Sequence, residues 1–336
     1  MTNFIFMMKF GSRKYLFIAA LIYLISYSEK SFAQQLPQFA YGASNPEFYN
    51  PAVCGITKSI DVSLIGRTQW VGITGHPNAQ AISLSSYVPS LSGGLGIFVL
   101  NNQQGVQRNT YTMLGYSFIT GKKNNRFGIG VRGGIIQSSI DGAKLRAPDG
   151  DYSGSIINHN DNLLPINTVS SIAPDFSVGI FYLNKFMNIG FAGSHLLQPA
   201  LKFSAANGDL TANLERNIFS SISFSINKNK DISFKPSAIV KYNFNELQTE
   251  SSLLVGYKNL GWIGVGYRGF DSNAKDVVIG FLGINLSPDL SLGYAYEFSL
   301  SKLSSANDGS HELVIHYSTS LTKPAKPEKV IFTPRF

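Results

Sequence analysis

GWIGVGYRGF, residues 261–270, decides the fold. Laid out as a strand, whose side chains alternate between two faces, it puts Ile263, Val265 and Tyr267 on one side with Gly261 and Gly269. Trp262, Gly264, Gly266, Arg268 and Phe270 share the other. One face is apolar along its middle; the other combines small residues with a charge. FGIGVRGG, residues 127–134, repeats the arrangement, with Phe127, Ile129 and Val131 opposite Gly128, Gly130 and Arg132.

Outward from these two stretches the alternation recurs. Apolar rows run through Leu95, Ile97 and Val99; Phe176, Val178, Ile180 and Tyr182; Met187, Ile189 and Phe191; Ile218, Ile222 and Phe224; Val277, Ile279 and Phe281; Leu290, Leu292, Tyr294, Tyr296 and Phe298; and Leu313, Ile315 and Tyr317. Fourteen segments follow, at 59–70, 78–88, 93–102, 108–119, 125–138, 174–183, 186–197, 214–227, 231–243, 247–258, 261–270, 275–286, 288–300 and 309–321. Short connections fall at every second junction, and the intervening ones include the long stretches 139–173 and 198–213. Composition agrees with strands: 14% of residues are charged, 12% are aromatic and 32 are glycine. No apolar run after residue 33 reaches the ~18 residues a membrane-spanning helix needs.

An even count of alternating strands, joined by short turns on one side and longer loops on the other, predicts a transmembrane antiparallel β-barrel of the outer membrane with both termini in the periplasm. In lipid every backbone amide must find a partner within the protein, so only a closed sheet can cross. An outward arginine would cost about 2–4 kcal/mol at mid-depth. Arg268 and Arg132 are therefore expected to point into the lumen, with room left by their glycine neighbours, and Glu297, Lys235 and Lys241 also lie on the polar faces of their strands.

The start of the chain predicts the compartment. Lys9, Arg13 and Lys14 precede the apolar run 15–25, and Ser31-Phe32-Ala33 places small residues where a signal peptidase reads. Cleavage after Ala33 is expected, giving a signal peptide at 1–33, a periplasmic N-terminal segment at 34–58, the barrel at 59–321 and a periplasmic tail at 322–336. The cut removes four of the 28 basic side chains and one of the 20 acidic ones, leaving a formal net charge of +5. That excess is thinly spread, so no nucleic-acid surface is read. Cys54 is the only cysteine, and Gln34 rather than a cysteine follows the cut, so neither an internal disulfide nor a lipid anchor is expected.

Signals for enzyme chemistry are weak. Gly128, Gly130 and Gly133, like Gly264, Gly266 and Gly269, match the spacing GxGxxG. That spacing binds dinucleotides only where a strand gives way to a helix, and these glycines lie within strands. The histidines at 76, 159, 195, 311 and 316 include no metal-binding pair, and His311 and His316 fall on opposite faces of one strand. No nucleophile elbow is present. No catalytic residue, metal or cofactor is assigned, although a hydrolase with a serine and a histidine at the barrel rim stays open as a third reading. Residues 34–57, rich in Pro, Asn and aromatics, read as a lead-in or as a plug packing under or into the barrel.

The irregular stretches carry a resemblance. QLPQFAYGASNPEFYNPAVCG (35–55), GRTQWVGITGHPNAQAISL (66–84), GGLGIFVLNNQQG (93–105), FKPSAIVKY (234–242), WIGVGYRG (262–269), LGYAYEFSLSKL (292–303) and GSHELVIHY (309–317), in this order, are similar to the PorP/SprF family of type IX secretion system outer-membrane proteins. Cys54 departs from the small or aromatic residue usual in the family's Asn-Pro-Ala-x-x-Gly segment. The resemblance implies a barrel needed for export or surface anchoring of a partner such as an adhesin, some used in gliding motility. It implies partners in the adhesin's C-terminal domain, in periplasmic secretion or peptidoglycan-binding components, and in outer-membrane lipid. By position, Asn50, Pro51, Arg67, Gln69, Trp70, Arg132, Trp262, Arg268, His311 and Glu312 are the residues expected to face a partner or brace the lumen. The alternative is a channel for uptake of a small solute.

Overall fold

Strands of the expected number and order build one closed sheet. The structure is a computed structural model that describes residues 36–321 except 123, 155–156, 162–163, 206–207, 228–230 and 270–276. Its strands are β1 (Ser59–Thr68), β2 (Asn78–Val88), β3 (Gly93–Gln104), β4 (Gln107–Lys122), β5 (Asn125–Asp141), β6 (Thr168–Leu183) and β7 (Met187–Ser194), then a separate hairpin of β8 (Ala200–Ala205) and β9 (Gly208–Asn213). There follow β10 (Asn217–Phe224) with its two-residue continuation β11 (Ile226–Asn227), β12 (Ile232–Tyr242), β13 (Leu247–Tyr257), β14 (Gly261–Gly269), β15 (Val277–Asn285), β16 (Leu290–Ser299) and β17 (Ser310–Ser320). Apart from the hairpin, each strand pairs antiparallel with its neighbours in sequence. The β10–β12 and β1–β17 pairings then close a fourteen-stranded barrel. Closure pairs each strand on both sides within the wall, as a span through lipid requires.

The alternation sorts the side chains as expected over most of the wall. Ile263 and Val265 are each 63% exposed on the outside of β14, while Arg268 is 4% exposed within. Ile129 and Val131 face outward from β5, and Gly128, Gly130 and Arg132 are buried. An exterior apolar over so wide a band is unfavourable in water and favourable in hydrocarbon. β15 is the exception. Ile279 and Phe281, read from the sequence as the apolar outer row, are buried in the interior, while Val278, Leu282 and Ile284 face out. Both faces of that strand are apolar, so alternation could not choose between them; Phe281 turns inward to meet the ring of Tyr41 edge-on at 5.0 Å.

One end of the barrel carries the short turns 89–92, 184–186, 258–260 and 286–289; the other carries 142–167, 195–216 and 300–309, together with the two-residue turn at Gly105 and Val106. The loop read at 139–173 is shorter than expected, because β5 and β6 extend beyond the apolar zone as a paired ribbon reaching Asp141 and Thr168. Polar residues such as Ser170 and Ser171 suffice there, so the apolar signal stops before the ladder does. The stretch 198–213, read as loop, contains the β8–β9 hairpin, which folds inward: Leu201 and Phe203 are fully buried, and the Lys202 amide donates to Ser171 Oγ at 2.8 Å. Phe270 and the expected signal peptide and tail lie outside the described residues.

Candidate functional site in the bore

The bore is occupied by the chain's own residues 36–57. Two three-residue 3₁₀ turns, Pro46–Phe48 and Pro51–Val53, compact this segment, each begun by a proline whose missing N–H costs nothing at that position. Asn50 caps the second turn: its Oδ1 accepts from the Ala52 amide at 2.9 Å. The same side chain grips the wall, Nδ2 donating to the carbonyls of Ile180 (2.9 Å) and Phe191 (3.2 Å), which face each other across β6 and β7. Pro51 is fully buried behind it.

Glycines on the inner face form the seat. At Gly128 and Gly130 of β5 an added methyl would collide with the Ala52 backbone; at Gly94 and Gly96 of β3 it would meet Cys54; at Gly179 and Gly190 it would meet the Asn50 side chain. The room these glycines leave is thus filled by main chain, not by the neighbouring arginines as the sequence had suggested. Ser117 Oγ donates to the Ala52 carbonyl at 3.0 Å and Arg126 to that of Ile56 at 2.6 Å. Arg132 donates to the Glu47 carbonyl at 2.6 Å and lies over the Phe98 ring, 4.5 Å from its centroid, a favourable cation–π contact.

Toward the long-loop end a buried chain of charges takes over. Glu312 on β17 accepts from the amides of Ala40 (2.7 Å) and Tyr41 (2.8 Å) and lies 3.4 Å from Arg67 on β1. Arg67 binds both oxygens of Glu297 on β16 at 2.7 Å, Glu297 meets Arg268 at 3.0 Å, and Arg268 meets Glu250 on β13 at 2.8 Å. All five side chains are at most 5% exposed. Alternating signs in a low-dielectric interior hold one another, and losing any one leaves an uncompensated charge. Lys241 donates to the Leu36 carbonyl at 3.0 Å. The first described residue therefore lies inside the barrel near its long-loop end, whereas β17 ends at the short-turn end.

The structure thus brings together Asn50, Pro51, Arg67, Arg132, Trp262, Arg268 and Glu312 around the inner segment. Trp262 Nε1 donates to the Tyr41 hydroxyl at 3.2 Å. Gln69, Trp70 and His311 are not part of it. Gln69 and Trp70 belong to the long-loop mouth, Trp70 in the left-handed region (φ 55°) with its amide on Ser310 Oγ. His311 bonds the Tyr294 hydroxyl at 2.7 Å on the outer face of β17. Glu250 and the seat glycines at 94, 96, 179 and 190 were not singled out from the sequence, and Gly128 and Gly130 were read only as room for Arg132; glycine at alternate inward positions was the signal that could have found the seat. His195 pairs with Asp175 at 2.9 Å, and Ser63 Oγ lies 2.8 Å from His316 Nδ1.

On the other side of the segment, at the short-turn end, a cavity of about 680 Å³ remains between Tyr41–Pro46 and the inner faces of β6, β7, β10 and β12 to β17. Ser221, Ser223, Ser233, Ser237, Asn188 and Asn259 are among its lining residues, so this half of the bore presents many hydroxyl and amide groups to open space.

The sequence pattern described as type IX secretion system membrane protein PorP/SprF matches residues 31–317. The chain belongs to this family. PorP/SprF membership and the apolar exterior make it an outer-membrane β-barrel of the type IX secretion system. Among solved structures it is similar to the toluene transporter TbuX of Ralstonia pickettii (12% identity over 81% of this chain and 92% of that one, TM-score 0.49). It is also similar to the CymD monoaromatic hydrocarbon channel (14%, covering 86% and 94%, TM-score 0.44) and the Omp33 outer membrane protein of Acinetobacter baumannii (6%, covering 78% and 99%, TM-score 0.43). A sequence comparison with curated proteins finds no match.

Proposed function

We propose that this barrel serves type IX secretion by anchoring or handing over a partner protein, such as a surface adhesin, and not by conducting solute. In this reading the short-turn end faces the periplasm, where the residues after 321 and the secretion or peptidoglycan-binding components meet. The observation that carries it is the occupied bore: residues 36–57 are tied to opposite walls through Glu312, Arg132 and Asn50, and Leu201 and Phe203 of the β8–β9 hairpin join the buried cluster that includes Phe39, Tyr49, Tyr111 and Phe219. A channel needs a continuous aqueous path; a scaffold needs a rigid one-piece wall. Deleting the gene should strip one class of protein from the cell surface while leaving growth on single solutes unchanged, read by surface proteomics. In planar bilayers the purified protein should be electrically silent. Stable single-channel conductance together with an intact surface proteome would return the uptake-channel reading.

A further inference from the structure

The cavity at the short-turn end is not explained by anchoring alone, and its lining has a definite chemistry. Its volume of about 680 Å³ lies within the roughly 300–1,000 Å³ usual for small-ligand sites. It opens at that end, since the turn residues Asp231, Lys258 and Asn259 border it. Three kinds of group converge inside. Hydroxyl and amide side chains from β7, β10 and β12 supply donors and acceptors on one wall: Asn188, Ser221, Ser223, Ser233 and Ser237. Lys235, also from β12, projects among the serines and makes no hydrogen bond or ion pair among the described residues. Lys258 borders only the mouth, its ammonium lying over the outward-facing Tyr257 ring at 5.2 Å, and Asp231 is the only acid among the lining residues described.

The third group is Trp262. Its ring covers Gly283 of β15, where any side chain would collide with it, and Nε1 is fixed on the Tyr41 hydroxyl at 3.2 Å. The indole is held against the wall while the rest of its surface borders the cavity. An immobilised aromatic face beside hydroxyls, amides and an unpaired cation matches a ligand with an apolar C–H face, hydroxyl edges and a negative charge. A peptide strand is served less well: the barrel is closed, so no main-chain edge is free to pair with one.

We propose that this cavity binds an acidic sugar, a short uronic-acid-type saccharide entering from the short-turn end. Its ring stacks on Trp262, its carboxylate lies at Lys235, and its hydroxyls meet Ser221, Ser223, Ser233 and Asn188. The site is independent of which partner the barrel serves, so it can stand or fall without the anchoring role.

The test uses the full mature protein in detergent, titrated with a uronic-acid trisaccharide, a neutral glucose trisaccharide and tri-glutamate. Calorimetry and tryptophan fluorescence are the readouts. The uronic-acid trisaccharide should bind saturably and change the emission, the neutral one at least about tenfold more weakly, and affinity should fall as salt rises. Lys235→Gln should weaken binding about tenfold, the loss of one charge-assisted hydrogen bond. Trp262→Phe should remove most of the fluorescence response, since Trp70 lies at the opposite end. Lys235 contacts nothing the fold requires, so its variant tests the site without endangering the barrel. No saturable binding of the acidic saccharide, equal or tighter binding of tri-glutamate, or indifference to Lys235→Gln would each overturn the assignment.

Discussion

The two halves of the bore at the short-turn end are both lined by small residues, yet they behave oppositely. Against β3 to β7 the small residues are glycines, and the backbone of 50–56 lies directly on them. Against β10 to β14 they are largely serines, and space remains. Removing a Cβ lets main chain approach to contact distance; keeping a Cβ with a hydroxyl keeps a hydration shell. The contrast is between a half in which main chain is seated on bare glycines and a half in which serine side chains leave space.

The contrast is most exposed to attack at Glu312. Glu312→Ala leaves Arg67 with one fewer carboxylate and the Ala40 and Tyr41 amides without a partner, and should cost about 3–5 kcal/mol, measured by urea unfolding in lipid vesicles. The second test uses Cys54, buried against Gly96 in the filled half. Burial pushes its thiol up to about 11, and only the thiolate reacts. Alkylation at pH 8 should therefore run roughly a hundredfold slower in the folded protein than after denaturation, rising only as pH approaches the raised value. Fast labelling of the native barrel would mean the segment leaves its seat.

A matched pair sharpens the comparison further. Gly130→Val places bulk where Ala52 lies and should cost about 1–3 kcal/mol by overpacking, with a matching gain in Cys54 labelling. Ser223→Val puts similar bulk into open space and should leave Cys54 protected. The smallest effect belongs to Ser221→Ala, expected within about 0.5 kcal/mol of the parent because its hydroxyl makes no hydrogen bond among the described residues. Equal costs on the two sides would erase the distinction.

Much of the wall was legible in the sequence because lipid imposes a strict rule on one face of each strand. Ile263, Val265, Ile129 and Val131 obey it, and Arg132, Arg268 and Glu312 had nowhere else to point. The rule fails where both faces are apolar, as at Ile279 and Phe281, and where strands rise above the bilayer, as at 168–173. The inner segment was harder to read. Its contacts run from Asn50 and Ala40 to residues over a hundred positions away, from Glu47 to Arg132 85 positions away, or to bare glycines, and none of these leaves a local period. Long-range pairings such as Arg67 with Glu297 are invisible to patterning, although each partner's inward direction was readable alone.

Glu312 also ties together the two extremes of synthesis. In the β1–β17 seam it stands directly opposite Arg67, and it holds the amides of residues made among the first while belonging to the strand made last. A slip of one position would turn it outward into hydrocarbon. Only a seam joined in the proper register offers Glu312 to the inner segment, so a cylinder shut out of register has no carboxylate with which to hold it.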